Sequence, residues 1–328
     1  MSAYRKADYQ KIIDDETWAF IELTDSYYPP ETIDYSIAQQ REIYNTMCRQ
    51  FYRGHPPGIN ATDDVITHAT IQTPVRRYIA DNQTTEAHVM YFHGGGFIVG
   101  GLDSHDDVCA ELCTLTGLGV TAVDYRLAPE FKHPAAFDDA LACSRHELKR
   151  LNTTLLLCGD SAGGNLAAAV THAIRAEKTA NGMPAVAGQV LIYPGLGGDT
   201  TSGSYVTHAE APMLSTRDVL FYTDIRAPEV KAPEIKAPAD ATLVPLKDDN
   251  FSNLPATVIF SAECDPLCDD GRHYRDAIIN AGGKAAWIKE AGLVHGYLRA
   301  RYSVSRARQS FDRMVQAIEM MADGAWYE

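Results

Sequence analysis

From residue 65 to 321 the chain alternates short apolar runs with longer stretches of helical period. The strand-like runs are Val65–Ala80, Ala87–Phe92, 119–125 (GVTAVDY), 154–159 (TLLLCG), 186–194, 256–262 (ATVIFSA) and 285–290. Between them, Ala135–Leu151, Ala162–Lys178, Asp269–Ala281 and Arg306–Met321 have the periodicity of amphipathic helices. Continuous rather than alternating apolar strands, separated by helices, predict a mainly parallel α/β sheet covered on both faces. Two segments fall outside this rhythm. Residues 1 to 55 read as helical, with Trp18, Phe20 and Ile21 in one run, a stop at Tyr28-Pro29-Pro30, and a second amphipathic run over Ile37–Phe51. The other runs from Gly197 to Asn253 and contains RAPEVKAPEIKAPAD (226–240), where proline every fifth residue predicts an extended loop.

The chemistry-bearing signal is LLLCGDSAGGNLAAAV, residues 155–170. Here Gly159-Asp160-Ser161-Ala162-Gly163 lies between a buried strand and a helix, the context that a nucleophile elbow requires. Small residues two before and two after Ser161 let strand and helix approach closely, and the helix N-terminus favours developing negative charge. Upstream, His93-Gly94-Gly95-Gly96-Phe97 follows another strand. Consecutive glycines can turn backbone amides toward an oxyanion, which points to Gly94, Gly95 and Ala162 as N–H donors. A serine nucleophile needs a base and the base an orienting acid, in chain order Ser, acid, His. His295, after the last strand-like run, is the base candidate; Asp265, just past 256–262, is the acid, with Glu263 as runner-up. Asp269 and Asp270 read as first-turn residues of the next helix. Ser104-His105-Asp106-Asp107 reads as a capping box for the helix that carries Cys109 and Cys113.

Taken in order, HGGGF, VDYRLAPE (123–130) with PAAFDDA (134–140), GDSAGGNLA, DPLCDDG (265–271) and HGY resemble the hormone-sensitive-lipase-like esterases of the α/β-hydrolase fold, which include bacterial acetyl esterases. That resemblance implies a mostly parallel sheet flanked by helices with a helical cap. The cap would be formed by residues 1–55 and 197–253, over a catalytic domain of 56–196 and 254–328. It also implies hydrolysis of short-chain carboxylic esters through an acyl-enzyme, with no cofactor; some members dimerise. Phe97, Met213 and Leu214 are candidates for the substrate pocket, and Asp124, Arg126 and Glu130 for a network bracing the glycine loop. Lys132 and His133 depart from the family pattern, as do the cysteines around the acid and the proline-repeat insertion. Amidase, lactonase or deacetylase activity would use the same three residues. A ligand-binding receptor on this fold would have lost the histidine, which is here present as His295.

Composition narrows the partners. A net charge of −14 and a pI near 5.2 argue against nucleic acid or an anionic membrane; the partner that the resemblance implies is a small-molecule ester. The N-terminal stretch has no uncharged apolar core of a secretory signal, and seven cysteines without an export signal fit a reducing cytoplasm. Their spacing completes no zinc pattern, so they read as small buried thiols.

Overall fold

The computed structural model describes residues 8–81, 83, 87–228 and 240–327. In chain order the first half forms α1 (Tyr9–Ile12), α2 (Asp15–Asp25), α3 (Ile37–Phe51), β1 (Ile59–His68), β2 (Ile71–Ala80), β3 (His88–Phe92), α4 (Asp106–Thr116), β4 (Gly119–Val123) and α5 (Ala135–Leu151). The second half adds β5 (Leu155–Asp160), α6 (Ala162–Ile174), β6 (Val186–Ile192), α7 (Ser204–Thr207), α8 (Thr216–Arg226), β7 (Ala256–Cys264), α9 (Cys268–Asn280), β8 (Ala285–Val294) and α10 (Ser305–Ala322). The eight strands make one sheet in the order β1-β2-β4-β3-β5-β6-β7-β8. β1, β2 and β4 are joined antiparallel, and all remaining pairings are parallel.

The sequence predicts a single strand over Val65–Ala80; the structure has a hairpin whose second strand begins at Ile71. The turn at Ala69 and Thr70 carries none of the usual hairpin residues, and Ala69 takes a left-handed φ of 51°. Elsewhere the predicted elements differ by a few residues at their ends.

Alternation across the pleat explains why the central strands read as unbroken apolar runs. Val89 and Tyr91 of β3 with Leu156 and Cys158 of β5 join a core shared with Tyr44, Leu112, Phe311 and Ile318 from α3, α4 and α10. Met90, Phe92, Leu155 and Leu157 enter the opposite core, with Phe137, Leu166, Val170 and Ile278 from α5, α6 and α9. Among the described residues no helix is long and apolar enough to cross a membrane.

Two local expectations are corrected. Ser104 does not cap α4: its hydroxyl is engaged at Gly101, closing a tight turn, and the N-cap position is His105 without a side-chain cap. Asp106 and Asp107 are buried ion-pair partners instead. Asp106 takes Arg76 at 2.9 Å and Asp107 takes Arg301 at 2.7 Å. Nor do Asp124, Arg126 and Glu130 form one network. Arg126 forks onto Asp139 of α5, Glu130 pairs with Arg41 of α3, and burial, with Asp103 nearby, raises the Asp124 carboxyl to about 6. Arg41 does reach the chain after the glycine loop, donating to Ile98 O at 2.8 Å and Ala128 O at 3.0 Å.

Candidate active site

β5 ends at Asp160 and α6 begins at Ala162, so Ser161 occupies the turn between them. Its backbone, at φ 54° and ψ −114°, is a conformation L-residues rarely adopt. The turn is held because the Ser161 amide donates to Ile192 O at 2.8 Å. Glycine is required on both sides. A Cβ on Gly159 would lie 2.4 Å from Gly163 C, and one on Gly163 would lie 1.8 Å from Phe92 O.

His295 follows β8 and Asp265 follows β7, neighbouring strands of the sheet. His295 Nε2 stands 2.9 Å from Ser161 Oγ, and His295 Nδ1 stands 2.7 Å from Asp265 Oδ2. The other oxygen of the fully buried Asp265 accepts the Leu267 amide at 2.8 Å, which fixes the carboxylate plane. Glu263, the runner-up acid, turns away: it takes Lys289 Nζ at 2.8 Å and the Gly292 amide at 2.9 Å. Asp269 and Asp270 do sit in the first turn of α9. Asp270 is wholly buried, however, and its Oδ2 accepts the amides of Leu196 and Gly197.

The glycine loop corrects one expectation. The Gly94 amide is already engaged, donating to Asp160 Oδ1 at 2.9 Å, and Gly94 does not face the cavity above Ser161. A Cβ on Gly94 would lie 2.4 Å from Asp160 Oδ2, so the glycine is there for a close approach. Gly95, Gly96 and Ala162 do line the cavity. Gly95 has φ 121° and Gly96 φ 59°; the latter lies against the ring of Tyr222, where a Cβ would come within 2.7 Å.

The sequence marks Asp160 only as part of the GDSAGGNLA motif and assigns it no role. It is buried, taking Tyr91 OH at 2.9 Å and Gly94 N, with His105 Nε2 at 3.2 Å. Burial alone would raise its carboxyl; the His105 imidazole and the Arg299 charge outweigh that and hold it well below the usual range. This buried ion ties the glycine loop to the end of β5, directly before Ser161.

Above Ser161 opens a cavity of about 480 Å³. Phe97, Met213 and Leu214 all line it, as do Tyr28 and Tyr44 from the N-terminal segment and Tyr222 of α8. Tyr28 and Tyr222 join the two outlying segments through their hydroxyls, 3.1 Å apart. Arg226 also lines the cavity; the sequence assigns it to the proline-rich loop, but it is the last residue of α8. The repeat at 229–239 lies outside the described residues. All seven cysteines are free and buried; burial, then the charges of Glu263 and Asp265, push the Cys264 thiol up to about 12. Among the described residues no cluster of three or more His, Cys, Asp or Glu side chains could hold a metal ion.

Residues 89–299 match the family model described as alpha/beta hydrolase fold. The chain is 35% identical over 260 residues to carboxylesterase NlhH of Mycobacterium tuberculosis, covering 75% of this chain and 77% of that protein. It is 31% identical over 255 residues to an ethyl acetate hydrolase of Pseudomonas putida, covering 75% and 78%. Among solved structures, the hyperthermophilic esterase of Pyrobaculum calidifontis superposes with a TM-score of 0.83 at 27% identity, covering 95% of this chain and 99% of that one.

Proposed function

The chain belongs to the hormone-sensitive-lipase-like carboxylesterases of the α/β-hydrolase fold and is a carboxylic ester hydrolase; from that premise we propose that it cleaves short-chain acyl esters through Ser161, His295 and Asp265. The observation that carries this reading is the unbroken chain of hydrogen bonds from Asp265 through His295 to Ser161 Oγ, opening into the cavity.

Ser161 Oγ attacks the ester carbonyl as His295 Nε2 takes its proton. Asp265 steadies the ring through Nδ1 and stabilises the imidazolium. The carbonyl oxygen becomes an oxyanion within reach of the amides of Gly95, Gly96 and Ala162. Gly96 replaces Gly94 in this role, because the Gly94 N–H already serves Asp160. His295 next protonates the departing alcohol. Water, deprotonated by His295, then attacks the acyl-Ser161 ester and releases the acid. A cavity of about 480 Å³, shared between acyl and alcohol groups, favours short chains. The described parts of 1–55 and 197–253 act as the cap that shapes it, with Tyr28 and Tyr222 at their junction.

Hydrolysis of p-nitrophenyl esters from acetate to laurate tests both parts. The expected result is a maximum at short chains and a loss of about 10⁴-fold or more in kcat on Ser161→Ala. Unchanged turnover in a folded Ser161→Ala protein would sink the assignment; a maximum at laurate would sink the chain-length reading alone.

A further inference from the structure

Helix α8 faces the cavity with Val219, Tyr222, Thr223 and Arg226, one stripe at helical spacing. Three of these suit a pocket for a neutral ester; Arg226 does not. It is only 7% exposed. Among the described residues no carboxylate stands within ion-pair distance of it. Asp240, whose charge it feels, is held instead by His133 at 3.1 Å.

What Arg226 does touch is little for five donors. Both terminal nitrogens reach Asn165 Oδ1 at 3.3 Å, and one reaches Leu243 O at 3.3 Å. These are long contacts for N–H···O bonds. One face of the guanidinium lies on the Phe97 ring, 3.5 Å from its centroid. Burial lowers its pKa to about 9, which still leaves a cation at neutral pH. Arg299, which also lines the cavity, is placed differently: it donates to Tyr44 OH and feels the buried charge of Asp160.

Position gives the cation a use. Asn165 is four residues beyond Ser161 on α6, a rise of about 6 Å. Phe97 directly follows the glycine loop. The guanidinium therefore stands about one helical turn from the nucleophile, on the wall of the same cavity. A carboxylate presents two oxygens that match the guanidinium fork and supplies a counter-charge that none of the described carboxylates gives it at ion-pair distance.

We propose that Arg226 binds a substrate carboxylate, and that this protein takes half-esters of short dicarboxylic acids, the scissile carbonyl at Ser161 and the free carboxylate at Arg226. This rests on the Ser161 reading above and adds the substrate class. It places a preference for an anionic substrate inside a chain whose net charge of −14 would otherwise disfavour one.

The test compares mono-4-nitrophenyl glutarate with 4-nitrophenyl valerate, equal in chain length and differing in the terminal carboxylate. The expected ratio of kcat/KM, glutarate over valerate, is about 10 or more in the native protein. It should fall about 10- to 100-fold in Arg226→Met and recover in part in Arg226→Lys. A native ratio of one or below, or a ratio unmoved by Arg226→Met, would reduce Arg226 to a structural tie between α8 and α6. Should Arg226→Met not fold, inhibition of the native protein decides: glutarate should compete at least about tenfold more tightly than glutaramide, and equal inhibition overturns the proposal. Calorimetric binding of glutarate to Ser161→Ala separates the two readings, because it reports the carboxylate site whether or not Ser161 is the nucleophile.

Discussion

At the scale of single residues, the sequence reading rests on steric and chemical necessity, and it succeeds where necessity is local. Gly163 illustrates this. Nothing larger fits two residues after Ser161, because a Cβ there would lie 1.8 Å from Phe92 O on the neighbouring strand. Gly163→Ala is expected to lower stability by ~3 kcal/mol or more, as overpacking against backbone allows no side-chain escape. An unchanged thermal or urea midpoint would contradict that. Ser161, Asp265 and His295 were legible for a similar reason: each follows a strand-like run, and the chain order is constrained. The glycine loop was legible only as a loop. Three successive glycines do not reveal which amide is already engaged, and the partner of Gly94 is Asp160, 66 residues away. Arg226 was hidden by its neighbours, since Ala-Pro immediately after it marks the start of the proline repeat rather than the end of a helix.

At the scale of elements, the central strands and helices are legible because burial on both faces leaves an uninterrupted apolar signature. The hairpin of β1 and β2 is not, because its turn uses Ala69 in a left-handed conformation where a glycine or asparagine would have marked it. The elements around the cavity depend on long-range ties that no local pattern carries. α3 is held over the loop that follows the glycines by Arg41, whose guanidinium reaches two backbone carbonyls and Glu130. The ion pair is the weaker part, since the Glu130 side chain is 52% exposed. Glu130→Gln should therefore change stability by less than ~1 kcal/mol, and Arg41→Ala should cost ~1.5–3 kcal/mol through the two carbonyls left without their charged donor. Urea unfolding of both variants checks this. Equal losses would mean that the ion pair, and not the carbonyl contacts, holds α3.

At the scale of the whole molecule, two buried histidines set a pH dependence that is separate from catalysis. Burial lowers His88 and His93 to about 4, with the charge of His105 adding to the effect at His93. In the unfolded chain both titrate near ~6.5. Between these values the unfolded state binds more protons, so stability is full above about 6.5 and is lost as pH falls toward 4. The expected slope is up to ~1.4 kcal/mol per pH unit for each histidine. The raised carboxyls of Asp124, about 6, and Asp270, about 7, tilt stability the other way over the same range. The histidine part is therefore read from the difference between the native protein and His88→Gln in urea midpoints from pH 7.5 to 4.5; a difference that does not change with pH would contradict the assignment. None of this was visible in the sequence, where His88 and His93 are two of 11 histidines; His105 and His172 are buried as well, but each stands beside a carboxylate, Asp160 and Asp248 respectively, and among the described residues His88 and His93 do not.

The central claim is that Ser161 is the nucleophile, activated by His295 and Asp265. Reaction with a p-nitrophenyl alkylphosphonate, followed by mass spectrometry of the intact protein and its peptides, tests it most directly. The account predicts one phosphonyl group per chain, carried on Ser161, formed with release of one p-nitrophenolate and absent from Ser161→Ala. Labelling of a different residue, or equal labelling of the Ser161→Ala protein, would contradict it.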